Sequence, residues 1–212
     1  MHDFALESAL SALMGILTRS LSHFRGYNRG VIGKLAKGKV AVFIDAANIF
    51  YSQRTLGWRI DYEKLAKYMA RETKLDGLYY YTGKVGTLEK QMSFIDKLKR
   101  CGYRVVAKEV KMIKVPDSAP VPKGSLDIEL ALDAYRFRKQ FDTLVLFSGD
   151  SDFAYLLDLL KLEGKRVIVV SMRGHVAKEL LERAKFIALP KLRDFIKKAE
   201  KIKRPDEPAS EV

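Results

Sequence analysis

The stretch Thr-Leu-Val-Leu-Phe-Ser-Gly-Asp-Ser-Asp-Phe at residues 143–153 decides the fold. Residues 144–147 are apolar at every position, which predicts a strand covered by helices on both faces. The run stops at Ser148 and Gly149, and a helical pattern begins at residue 154. The residues between them carry hydroxyl or carboxylate groups: Asp150, Ser151 and Asp152. We therefore predict a buried strand that carries two carboxylates at its carboxyl end.

A second apolar run, at residues 40–44, has the same design and ends in Asp45, with Asn48 three residues later. In an open α/β sheet, sites form at the carboxyl ends of strands, where the strand order reverses. If the two strands are neighbours, Asp45 and Asp150 face each other across that crevice. Close carboxylates repel each other, and a divalent cation between them removes the conflict.

A third acidic stretch lies in a helix predicted at residues 125–140, with Ser125 as its N-cap. Asp127 falls in the first turn, and Asp133 lies about 240° further around the axis, so one helix cannot easily aim both at one ion. We favour Asp127 as the ligand, while Asp133 orients a lysine or binds a second ion. Carboxylate oxygens favour Mg²⁺ or Mn²⁺ over zinc.

Composition favours a polyanionic partner. The 212 residues carry a net charge of +13, which indicates nucleic acid or an acidic membrane surface, although a lysine-rich thermophilic surface is an alternative. The single cysteine, Cys101, excludes a disulfide framework and is typical of a reducing, cytoplasmic compartment. No run of about 20 apolar residues predicts a membrane span, and we expect no secretion signal.

Strands alternating with helices predict a parallel sheet with helices on both faces. Residues 1–37 are predicted to form an amphipathic helix and a linker, residues 38–190 the main domain, and residues 191–212 a basic helix with a loose tail. The first helix docks on the domain, pairs with a copy of itself in a homodimer, or lies on a membrane. Residues 110–124 are expected to be irregular.

Three blocks carry a resemblance to a known family: residues 43–48, 123–133 and 148–153. They resemble the signature blocks of the NYN domain, in the LabA-like branch of the PIN-like nuclease superfamily, and the resemblance extends over residues 39–189. It implies a three-layer α/β/α sandwich whose mostly parallel sheet of five or six strands has the order 3-2-1-4-5. It also implies a metal-dependent ribonuclease, acting endonucleolytically on single-stranded RNA.

By the same resemblance, the metal-binding and catalytic residues are aspartates: Asp45, Asp127 and Asp150, with Asp152 as an accessory ligand. Further accessory candidates are Asn48, Asp133, Ser148 and Ser151. Basic residues that leave the same sheet edge are candidates for RNA backbone contacts: Lys84, Lys111, Lys114, Lys123 and Arg173. Tyr81 or Trp58 is expected to stack on a base.

Two other functions stay open. The chain is alternatively a non-catalytic nucleic-acid-binding module that keeps the fold, or a scaffold whose first helix drives assembly. Phosphate-binding and nucleophile-elbow motifs, Gly-x-x-x-x-Gly-Lys-Ser/Thr and Gly-x-Ser-x-Gly, are missing from the sequence.

Overall fold

The structure of the protein, a computed structural model, describes residues 30–84, 88–113, 121–123 and 125–199. For residues 111–113 and 121–123 the description is of the backbone alone. The chain divides into two compact units, Met1–Gly30 and Val31–Val212, and the second contains every element given below. The amphipathic helix predicted near the amino terminus lies outside the described residues, and so does the predicted tail.

The described part of the chain contains eight strands: β1 (Lys39–Asp45), β2 (Lys74–Lys84), β3 (Tyr103–Glu109), β4 (Lys111–Ile113), β5 (Val121–Lys123), β6 (Thr143–Phe147), β7 (Arg166–Ser171) and β8 (Lys185–Ala188). Its α-helices are α1 (Val31–Leu35), α2 (Ala46–Leu56), α3 (Tyr62–Glu72), α4 (Glu89–Arg100), α5 (Asp127–Arg136), α6 (Ala154–Leu162), α7 (Lys178–Arg183) and α8 (Arg193–Ile196). Two short 3₁₀ helices lie at Ser151–Phe153 and Leu189–Leu192.

Six strands form one parallel sheet in the order β3-β2-β1-β6-β7-β8. This confirms the predicted α/β fold and the order of its first five strands, to which β8 adds a sixth. The chain first builds the sheet from β1 towards β3 and then returns to build from β6 towards β8. The strand order therefore reverses between β1 and β6, where a binding crevice is expected.

Side chains of the central strands alternate between two hydrophobic cores, one on each face of the sheet. Val42 and Ile44 of β1 pack in the core with α1, α2 and α3, whereas Phe43 packs in the core with α5, α6 and α7. All five residues of β6 are buried, as expected for a strand covered on both faces. This layering fixes the backbone at the carboxyl ends of β1 and β6 from both sides.

Three predicted segments differ from the structure. The linker prediction is wrong for α1, because the fully buried Ile32 anchors that helix in the core. Residues 110–124 are not irregular throughout, because β4 and β5 pair as an antiparallel hairpin. The basic helix predicted within residues 191–212 is short in the described residues: it covers Arg193–Ile196, after which Lys197 bridges to Ile60.

Leu132 and Met92 occupy positions that the helical pattern of the sequence predicts to be buried, but both lie at the surface. Leu132 is 65% exposed, because the buried positions of α5 are taken by Leu130 and Ala134 at a four-residue step. Met92 of α4 is 37% exposed, while Ile95 and Leu98 of the same predicted stripe are buried. Both errors arise from the rotational position of a helix, which depends on its neighbours as well as on its own pattern.

Candidate metal centre

Asp45 ends β1 and caps the first turn of α2. Its Oδ1 accepts hydrogen bonds from the backbone N–H groups of Ala47 and Asn48 at 3.0 and 3.2 Å, and its Oδ2 accepts one from the Ser148 hydroxyl at 2.9 Å. The residue is 7% exposed. Burial raises the pKa of Asp45, the charge of Asp127 adds to this effect, and the three hydrogen bonds oppose it.

The turn after β6 is tied to the end of β1. The Ser148 hydroxyl accepts from the backbone N–H of Asp150 at 3.2 Å, and the Gly149 N–H donates to the Asn48 side-chain oxygen at 2.9 Å. A side chain at Gly149 would collide with the backbone carbonyl oxygen of His175. Sequence reasoning missed this requirement for glycine, because the contact comes from the loop after β7 and not from the turn itself.

The structure brings three of the predicted ligands together at this crevice. One carboxylate oxygen from each of Asp127, Asp150 and Asp152 lies within 4.8 Å of the other two. Asp150 caps the 3₁₀ helix through a 3.0 Å bond from the Asp152 N–H to its Oδ1. The pKa of Asp127 is raised by burial and then by repulsion from Asp150 and Asp152, against a hydrogen bond with Ser125.

Asp45 lies outside this cluster but beside it. A small cavity of about 60 Å³ separates it from Asp127. The cavity is lined by Asp45, Ala47, Tyr81, Gly83, Ser125, Leu126, Asp127 and Leu130. Because a carboxylate oxygen has two lone pairs, Oδ2 of Asp45 keeps one after accepting from Ser148. Its role as a ligand stays a prediction.

The donor set fits a hard divalent cation. Three carboxylates converge, and within the described residues none of them pairs with a lysine or arginine. Repulsion among unpaired charges is the conflict that a cation would resolve. Oxygen ligands of this kind suit Mg²⁺ or Mn²⁺ better than zinc.

Asp133 and Ser125 are placed differently from expectation. The Tyr81 hydroxyl donates to Asp133 at 3.0 Å, so a tyrosine holds this carboxylate and no lysine does. Ser125 is not the N-cap of α5, because that position falls on Leu126. Its side chain forms a hydrogen bond with the Asp127 side chain instead, a contact that the sequence spacing did not reveal.

Two aromatic predictions are wrong. Tyr81 is 2% exposed and Trp58 is 8% exposed, because both rings are packed into the cores, so neither is available to stack on a base. Ser151 is exposed on the 3₁₀ helix beside the cluster.

The predicted RNA-contacting cations leave the same sheet edge where they are described. Lys84 ends β2, one residue after the cavity residue Gly83. Lys111 and Lys123 pair across the hairpin, between β3 and the start of α5, and Lys114 lies outside the described residues. Arg173 is exposed after β7, with its guanidinium 5.9 Å from the centre of the Phe186 ring.

None of the helices in the part of the chain that the structure covers is long and apolar enough to cross a membrane.

Comparison with known proteins identifies the family. The NYN domain model matches residues 39–190. The low amplitude and bright protein LabA of Synechococcus elongatus is 35% identical over 168 residues, which cover 77% of this chain and 90% of that protein. A crystal structure of a protein of unknown function from Vibrio parahaemolyticus superposes with a TM-score of 0.63 at 25% identity, covering 76% of this chain and 96% of the other. The chain therefore belongs to the NYN domain family of PIN-like nuclease-type proteins.

Proposed function

We propose that this chain is a Mg²⁺- or Mn²⁺-dependent ribonuclease that cleaves single-stranded RNA internally. The observation that carries the proposal is the convergence of Asp127, Asp150 and Asp152 at the switch point of the sheet. Membership of a nuclease-type family supports it, and so does the net charge of +13.

The roles of the chain's own residues follow from their contacts. Asp127, Asp150 and Asp152 would hold the cation, and Asp45 would complete the site through Oδ2. When bound, a divalent cation supplies a water that is nucleophilic near neutral pH and neutralises charge on the scissile phosphate. Ser148 orients Asp45, which restricts its carboxylate to one geometry.

RNA binding also requires positive charge around the site, because an acidic pocket repels phosphate. Lys84, the hairpin lysines and Arg173 leave the same edge and would attract the RNA backbone. Asp133, held by Tyr81, would position a water or a second ion.

The test is cleavage of a labelled, unstructured RNA by the full chain in MnCl₂, MgCl₂ or EDTA, with DNA of the same sequence alongside. We expect products only with metal, and a loss of roughly 100-fold or more in Asp150→Asn. Asp96→Asn, on the exposed surface of α4, is the matched control and should cleave normally.

Equal cleavage by wild type and Asp150→Asn would remove the catalytic assignment. If neither cleaves while both bind RNA, the chain is a non-catalytic nucleic-acid-binding module. Titration of Mn²⁺ followed by calorimetry tests the metal site independently of cleavage.

A further inference from the structure

Helix α2 leads away from the acidic cluster with an exposed aromatic pair that the proposed chemistry does not use. Phe50 is 53% exposed and Tyr51 is 58% exposed. Their ring centroids lie 5.7 Å apart, and the ring planes meet at 77°. An aromatic ring contributes strongly to the stability of a core or an interface when it is buried, so two adjacent exposed rings indicate an interaction surface.

The aromatic pair belongs to a stripe, which we call the outer face of α2. Its members recur at steps of three and four along the helix: Ala47, Phe50, Tyr51, Arg54 and Thr55. All five are exposed, and α2 contains no acidic residue. The stripe begins at the site, because Ala47 lines the cavity beside Asp45.

The far end of the outer face contacts the loop after β7. The Thr55 hydroxyl lies 3.2 Å from Nε2 of His175, and the His175 carbonyl packs against Gly149 in the turn that carries Asp150. The same loop exposes Arg173. The outer face therefore meets the cavity beside the acidic cluster at one end, and its other end is joined through His175 to the turn that carries Asp150. It carries a cation at Arg54, and the loop of His175 carries another at Arg173.

We propose that the outer face of α2 is a stacking platform for the bases of a single-stranded nucleic acid whose backbone enters the acidic cluster. This inference rests on the proposed function and assigns the strand a path. Aromatic faces stack on any base, and Arg54 offers a charge to phosphate. Because the rings are nearly perpendicular, one base lies flat on only one of them, and the other ring meets the edge of that base or its neighbour.

Charge favours nucleic acid over a protein partner for this surface. A helix without acidic residues, in a chain of net charge +13, does not repel a polyanion.

The test is binding of a fluorescent 12-nucleotide single-stranded RNA, measured by anisotropy in EDTA so that cleavage cannot interfere. We expect the Phe50→Ala/Tyr51→Ala double variant to bind roughly 5- to 100-fold more weakly. An abasic oligonucleotide of equal length should bind wild type and double variant alike, because it has no bases to stack. Arg54→Gln should lower the salt dependence of log Kd by about 0.7.

Phe195→Ala is the matched control, because Phe195 is 42% exposed and packs on Tyr68 in the second half of α3, away from the cluster. It should bind RNA as wild type does, and circular dichroism should confirm that all variants fold.

If wild type and the double variant bind RNA equally well, bases do not stack on the outer face of α2, and the proposed ribonuclease function is unaffected. If wild type binds no RNA, both fail. If RNA binding is unchanged but the double variant alone loses self-association in sedimentation, the surface is a protein interface and the inference is overturned.

Discussion

Asp45 and Asp61 begin two successive helices with nearly the same local geometry. Asp45 has φ −82° and ψ 103°, and Asp61 has φ −89° and ψ 105°. Each accepts two backbone N–H groups through Oδ1, at 3.0 and 3.2 Å for Asp45 and at 3.0 and 3.3 Å for Asp61. Judged by the capping turn alone, the two residues are equivalent.

Their surroundings differ. Asp45 is buried, receives a third hydrogen bond from Ser148 and faces Asp127, and burial raises its pKa. Asp61 is partly exposed at the start of α3. The proposed ligand Asp45 is thus distinguished from the cap Asp61 by what the sheet brings near it, and not by the turn in which it lies.

The largest expected difference is in cleavage. Asp45→Asn should slow RNA cleavage roughly 100-fold or more, since an amide is a poorer ligand than a carboxylate and the charge is lost. Asp61→Asn should stay within about twofold of wild type. The measurement is the initial rate of cleavage of labelled RNA in MnCl₂. Equal losses of rate in the two variants would mean that Asp45 contributes no more to cleavage than the helix cap Asp61 does.

The next effect concerns the turn that gives Asp45 its third hydrogen bond. Gly149→Ala should lower the free energy of unfolding by about 3 kcal/mol, because the obstacle is backbone and cannot rotate away. Gly57→Ala, at the end of α2 with φ +68° and open space around it, should cost about 1 kcal/mol. Urea denaturation of both variants measures the two values, and a cost below that of Gly57→Ala would contradict the close contact.

The smallest expected effects are on the free energy of unfolding, which substitutions at Asp45 and Asp61 should change in opposite directions. With metal removed by EDTA at pH 7, Asp45→Asn in a Ser148→Ala background should raise the free energy of unfolding by about 1 kcal/mol, because it removes a buried charge next to Asp127 and leaves no Ser148 proton without an acceptor. Asp61→Asn should lower it by about 0.5 kcal/mol, because it weakens a favourable interaction with the dipole of α3. Thermal unfolding of the two variants at equal concentration is the measurement. Destabilisation of both by the same amount would mean that burial imposes no penalty on Asp45.

The parts of this structure that follow from local pattern were predictable from the sequence. Two apolar runs, one ending in Asp45 and the other followed three residues later by Asp150, predicted the central strands, and the pairing of these strands brings their ends together. Helical rotation indicated that Asp127 and Asp133 cannot both serve one ion, and Asp127 was preferred because it lies at the start of the helix, next to the long loop expected to flank the crevice. The structure holds Asp127 in the cluster and Asp133 on Tyr81. These inferences depend on the geometry of each element and on the order of the elements along the chain.

The parts that depend on tertiary contact were not predictable. The burial of Trp58, the exposure of Leu132 and the need for glycine at position 149 are each decided by a distant segment. Phe50 and Tyr51 also look like core residues in the sequence, and only the orientation of α2 against the sheet reveals that they face water.

The hydroxyl of Ser148 has one proton, and its two contacts determine where that proton lies. The backbone N–H of Asp150 can only donate, so the serine must direct its own proton at Asp45. The Ser148 hydroxyl therefore needs an acceptor on Asp45, and its oxygen holds the backbone N–H of Asp150 at the same time. One buried atom therefore couples the ionisation of the carboxylate that ends β1 to the position of the carboxylate that follows β6.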